Sequence, residues 1–158
     1  MKMKLFLPIV ALLVSSLQAE FEIRDASHHP VEGFTESSYT SDGIKRKVYL
    51  DSDMLVSSKD VKDAFLSSRL GDTYSVHIEF TNEGSEKLKQ ITEKRIGKEV
   101  AIIIDGEVLS APTIMAALSR KAQITGLSKS KAGDLVEKIL NHNKSELSIS
   151  FAPSSLTP

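Results

Sequence analysis

The sequence predicts an α+β fold, a mostly antiparallel sheet covered by two main helices. Three observations predict it. Strand-like and helix-like segments interleave along the chain, and one pair of strands is joined by the tight dipeptide Asp105-Gly106. Residues 74–80 alternate apolar and polar side chains, with Tyr74, Val76, Ile78 and Phe80 on one face and Ser75, His77 and Glu79 on the other, the pattern of a half-buried strand. Ala132, Leu135, Val136, Ile139 and Leu140 repeat at helical spacing, the fullest amphipathic stripe in the chain.

Composition narrows the class before any element is placed. With 158 residues, 41% hydrophobic and 26% charged, the chain falls among ordinary globular proteins with a single core. A formal net charge of -1 gives no basic face of the kind nucleic acids need, and Lys45-Arg46-Lys47 reads as solvated charge at a strand entrance. The chain has no cysteine, which removes disulfides, thiolate metal sites and thiol catalysis together, as well as any lipid-modified cysteine.

The first residues predict export. Met1-Lys2-Met3-Lys4 is a positive start, residues 5–14 are apolar, and Ser15-Ser16-Leu17-Gln18-Ala19 is a polar, small-residue exit. That order is a secretory signal peptide, here placed at residues 1–19, with cleavage expected after Ala19. Its apolar run is roughly half the ~20 residues a spanning helix needs. The expected organisation is then an N-terminal strand and loop over 20–46, an α+β domain over 47–152 and a frayed tail over 153–158.

Taken in order, Phe21-Glu22-Ile23-Arg24 alternates as a first strand, and residues 25–46 read as a long polar loop. Residues 47–50 are a short strand. Ser57 and Asp60 form a capping-box pattern, and Val61, Ala64 and Phe65 fall at helical spacing, which predicts a short helix over 58–68. After the strand over 74–80, Thr81 or Asn82 caps a helix that buries Leu88, Ile91 and Arg95 in a narrow stripe, with Ile96 closing it before Gly97. Residues 100–104, Val-Ala-Ile-Ile-Ile, are apolar at every position, as expected of a strand buried on both faces. Asp105-Gly106 then predicts a type I′ hairpin turn, Val108 and Leu109 run back, and Pro112 ends the pairing. Residues 113–122, with Ile114, Met115 and Leu118, fit a helical turn or an irregular strand equally. Residues 123–126 suggest a strand, Ser128 caps the amphipathic helix, and Leu147, Ile149 and Phe151 alternate as a last strand.

Few residues suggest chemistry. His28-His29 resembles a metal pair, yet adjacent rings rarely aim at one ion and no nearby histidine or cysteine completes a set. His77 and Glu79 share the solvent-facing side of a strand, where a polar pair needs no further role, and His142 suits the negative end of a helix. Asp105 near Ser110 would need a base and an oxyanion donor, and no nucleophile elbow, Ser-x-x-Lys motif or phosphate-binding glycine loop accompanies them. The aspartate reads as conformational. No catalytic residue, cofactor or metal site is expected.

Taken together, Asn82-Glu83-Gly84 at a helix entry, the strand-Asp105-Gly106-strand-Ser110-Ala111-Pro112 unit and Ile124-Thr125-Gly126 before a serine-capped helix form a fairly specific pattern. It resembles the head subdomain of the large periplasmic domain of SecD, in the SecDF preprotein translocase accessory subunits, from about Val48 to His142, with Phe21-Glu22-Ile23-Arg24 as a possible extension. The resemblance implies an α+β head outside the cytoplasmic membrane that contacts exported chains, while membrane helices elsewhere couple translocation to the proton gradient. Ser119-Arg120-Lys121 stands where family members often carry a glycine-rich loop. The expectation is a periplasmic or secreted, non-enzymatic module that binds a protein or extended peptide, such as exported preproteins or translocon components, on a sheet edge or in an apolar groove. A structural envelope-assembly domain with one protein partner is the alternative, and a hydrolase or metal enzyme built on His28, His29, His77 and Asp105 ranks below it.

Overall fold

The computed structural model describes residues 21–70 and 73–150. Along these the order is β1 (Phe21–Ser27), β2 (Thr35–Ser41), β3 (Ile44–Ser57), a single 3₁₀ turn (Ser58–Asp60), β4 (Val61–Leu70), β5 (Thr73–Phe80), α1 (Asn82–Glu93), β6 (Glu99–Ile104), β7 (Glu107–Ser110), β8 (Lys121–Leu127) and α2 (Lys129–Ser150). The strands form two sheets, five-stranded in the order β2-β3-β1-β6-β7 and three-stranded in the order β4-β5-β8. Every pairing within them is antiparallel. The α+β class is as expected, with the sheet divided in two.

Two Asp-Gly turns organise the larger sheet. Asp105 and Gly106 have φ of 50° and 79° and join Ile104 to Glu107, the paired positive angles of a type I′ turn. Asp42 and Gly43 repeat the device at 54° and 74°, joining Ser41 to Ile44. Much of the stretch read as loop over 25–46 is therefore strand. Thr35–Ser41 contributes one buried residue, Tyr39, as the sheet's edge strand, so its sequence lacks the apolar alternation that marks a strand with a buried face.

The larger core lies between the two sheets and the helices and gathers Phe21, Val76, Ile78, Phe80, Leu88, Ile102, Ile104, Leu135 and Ile139. A smaller core of Ala26, Tyr39, Val48, Ala101, Ile103 and Val108 forms on the other side of the five-stranded sheet. Residues 100–104 are thus apolar throughout because alternate side chains of β6 enter different cores.

Three further elements differ from expectation. The helix over 58–68 is the 3₁₀ turn followed by β4. The capping box of Ser57 and Asp60 is present, but it closes one turn only. A bulge between Val61 and Asp63 adds one residue to β4, so inward-facing Val61 and Ala64 stand three apart and imitate helical spacing. Among the described residues the expected final strand does not form: residues 147–150, with Leu147 and Ile149, continue α2, while Phe151 lies outside the described residues. Past Gly133 no glycine or proline stands before Pro153, and extending an existing helix adds one hydrogen bond per residue fixed. Finally, α1 ends at Glu93 with Lys94 as its cap, and Ile96 is exposed rather than closing the stripe. Arg95 instead forks onto Asp25 at 2.7 and 2.8 Å, tying the end of α1 to β1.

Residues 1–20 and 151–158 lie outside the described residues, and with them the expected signal peptide and tail. Among the described residues no helix is long and apolar enough to cross a membrane.

Candidate functional site

An apolar cavity of about 290 Å³ opens between the sheets and α1. Ile23, Ile78, Phe80, Leu88, Ile102 and Ile124 line it from the strands and α1, while Pro112, Ile114, Met115 and Leu118 close it from the segment between β7 and β8. Its lining contains no charged side chain, and Thr113 and Gln123 are its polar members. For scale, an apolar cavity of about 150 Å³ takes up a benzene-sized guest. Such a site selects by burial of apolar surface and has no group to perform acid–base chemistry.

Of the two forms that its sequence admitted, the segment over 112–118 is not a helical turn, and it comes nearer the irregular strand, pairing at its start through Thr113. It is an irregular strap anchored at both ends. Val100 N–H donates to the Pro112 carbonyl at 3.0 Å, Ile114 N–H to Lys98 O at 2.9 Å, and Gly97 N–H to Ile114 O at 2.8 Å. Pairing therefore continues past Pro112, through the isolated bridge between Glu99 and Thr113. Beyond the strap, Phe80 N–H donates to Arg120 O at 3.0 Å. Between these anchors Leu118 N–H donates to Thr92 Oγ1 at 2.8 Å. Met115 is 82% exposed at the mouth.

The residues singled out from the sequence divide among several places. Thr81 caps α1, accepting from Gly84 N–H at 2.9 Å, with Asn82 and Glu83 in the first turn. Gly84 is buried there, and a Cβ on it would stand 2.1 Å from the Asp60 carbonyl oxygen. Asp105 and Gly106 form the turn, and the Lys138 ammonium of α2 pairs with the Asp105 carboxylate. Ala111 packs against the smaller core. Pro112 and Ile124 reach the cavity, whereas Ser110, Thr125 and Gly126 border a separate polar groove beside Ser41 and Lys131. Sequence reasoning noted Met115 and Leu118 without a role and missed Thr92, which carries no signal as one threonine in a polar helix.

The histidines have partners of their own. His28 Nδ1 meets Glu99 Oε1 at 2.5 Å and its Nε2 meets the Tyr39 hydroxyl at 2.9 Å, while His28 N–H donates to Glu99 Oε2 at 2.8 Å. Burial pushes the Glu99 carboxyl up, but the hydrogen bonds and charge of His28, with the charge of His29, outweigh it and hold the group below its ordinary 4.5. Burial pushes the Tyr39 hydroxyl above its ordinary value. His77 stacks on Phe65, ring centroids 5.4 Å apart, and Glu79 receives Lys62 at 3.0 Å. His142 falls in α2 at a position whose side chain lies outside the described residues. Among the described residues, no three of His, Cys, Asp and Glu stand together as a cation site.

Fold and cavity define a small α+β head domain, two antiparallel sheets around an apolar pocket. A family model described as the SecDF P1 head subdomain matches residues 35–141, and the chain belongs to that family. The match begins before Val48, so it takes in β2 and the Asp42-Gly43 turn. The protein translocase subunit SecD of Aquifex aeolicus is 38% identical over 73 residues, covering 46% of this chain and 14% of that protein. SecD of Treponema pallidum is 26% identical over 126 residues, 76% of this chain and 22% of that protein. The chain thus spans a minor part of the curated relatives it matches. Among solved structures, one described as a "membrane component SecDF that enhances protein export" superposes with a TM-score of 0.60 at 25% identity, over 77% of this chain and 62% of that one.

Proposed function

We propose that this chain is a non-enzymatic binding module of protein export, which holds an apolar stretch of an extended polypeptide in the cavity beneath the 112–118 strap. The observation that carries the reading is the cavity itself: about 290 Å³, without a charged lining residue, beside a fully presented Met115. Methionine suits a surface that must accept varied apolar partners, because its unbranched thioether adapts its shape. Family membership supports the setting, a head domain exposed on the outer side of the cytoplasmic membrane, and the signal-peptide pattern at residues 1–19 supports export of this chain. Asn82, Gly84, Asp105, Gly106 and Gly126 serve the fold in this reading, and Pro112 and Ile124 serve the cavity.

Titrating the purified protein with unfolded exported proteins and with apolar peptides tests it. Saturable binding is expected, and Met115→Glu, at an exposed position that contributes little to folding, weakens it at least about tenfold by placing a charge at the mouth. Absence of saturable binding overturns the reading. Copurification of one stoichiometric partner, without general peptide affinity, selects the structural envelope-assembly role instead.

A further inference from the structure

We infer that Thr92 is the clasp of the strap, and that release of its hydrogen bond to Leu118 is the step that admits a ligand to the cavity; this rests on the binding reading above. The Thr92 hydroxyl has one proton and three carbonyls within reach, Leu88 O at 2.8 Å, Lys89 O at 3.3 Å and Leu118 O at 3.4 Å. Donation to Leu88, one turn back along α1, is the shortest of these and follows the usual habit of threonine in a helix. It fixes the side chain and leaves an oxygen lone pair for Leu118 N–H, which donates at 2.8 Å. Thr92 is only 2% exposed, so water does not compete freely for that lone pair.

The rest of the strap makes this bond decisive. Its start is tied into the sheet at Pro112 and Ile114, and the chain after it is tied at Arg120. Met115, Ala116 and Ala117, between the anchors, are exposed. Leu118 and Met115 line the cavity, and so does Leu88, whose carbonyl orients the Thr92 hydroxyl. Opening the cavity from the strap side therefore requires Leu118 to leave Thr92, while the anchors at Ile114 and Arg120 stay in place. Leu118 is partly exposed, so its N–H finds water once released. The buried threonine oxygen is left without that donor, which favours reclosure.

The test compares the protein with Thr92→Val, which keeps the shape and removes the hydroxyl, and with Thr92→Ser, which keeps the hydroxyl. The probe is N-phenyl-1-naphthylamine, an uncharged apolar dye whose fluorescence reports entry into an apolar cavity. In Thr92→Val, hydrogen exchange at the Leu118 amide is expected to quicken about tenfold, the equivalent of one ordinary hydrogen bond. Dye association is expected to quicken by the same factor. Thr92→Ser should match the parent in both readouts. Leu118→Pro, which removes the donor from the strap side, should speed dye entry as Thr92→Val does. Unchanged Leu118 exchange in a folded Thr92→Val protein overturns the clasp, and faster exchange without faster dye entry overturns the gate. If no form binds the dye, the binding reading falls and the gate with it, while the exchange rates still judge the clasp alone.

Discussion

Gly84→Ala and Gly133→Ala make the same chemical change in the two helices and should have opposite effects. At Gly84 a Cβ would lie 2.1 Å from Asp60 O and 2.9 Å from Asp60 Cα, roughly 1 Å short of the closest approach that carbon and oxygen tolerate. The obstruction is backbone, and it is held: Asp60 O accepts from Thr81 N–H at 2.9 Å, and its carboxylate accepts from Ser57 N–H at 2.8 Å and Lys87 at 2.9 Å. α1 must therefore move away, losing the Thr81 bond and disturbing the packing of Leu88. Overpacking costs about 1–3 kcal/mol and the lost hydrogen bond about 1 kcal/mol, offset by up to ~1 kcal/mol of better helix propensity. The net is a destabilisation of about 2 kcal/mol, or roughly 6–10 °C in Tm. At Gly133 nothing lies within 4 Å of the added carbon, so propensity acts alone and stability should rise by up to ~1 kcal/mol. Urea and thermal denaturation of both variants measure this. A Gly84→Ala protein as stable as the parent would refute the close approach of α1 to Asp60.

Two further outcomes separate conformational from chemical roles. Gly106→Ala, at φ 79°, should lose about 1–2 kcal/mol for the left-handed backbone, while Asp105→Asn keeps the turn, gives up the charge of the partly exposed ion pair with Lys138, and should cost no more than about 1 kcal/mol; urea denaturation compares them. Glu99 is held below its ordinary 4.5, so the stability its anion contributes is fully present above about pH 4.5 and fades as pH falls through the lower folded value. Glu99→Gln should be less stable than the parent at neutral pH, and the difference should shrink in that acid range; a gap that stays constant from pH 6 to 3 contradicts the His28–Glu99 contact.

Much of the fold was legible because local chemistry dictated it. Asp105-Gly106, the alternation over 74–80, the Thr81 cap and the α2 stripe each follow from one backbone or burial requirement. Where reading failed, a tertiary feature had altered the period. The bulge in β4 put Val61 and Ala64 at helical spacing, and edge strand β2 buries too little to alternate, although Asp42-Gly43 carried the same signal that was used at 105–106. The candidate site was less legible. Its cavity is assembled from β1, β5, α1, β6, β8 and the strap, which lie far apart along the chain, and no local pattern announces such a pocket. Thr92 matters through a bond spanning 26 residues, which periodicity cannot show.

Methyl-resolved NMR titration of the protein with an unfolded, apolar peptide tests the central claim most directly. The account predicts saturable shifts at Ile78, Ile102, Ile114, Met115, Leu118 and Ile124, with Ala26, Val48 and Val108 of the smaller core unmoved. Shifts centred on the smaller core or on the Phe65–His77 surface, or no saturable shift at the cavity methyls, would contradict it.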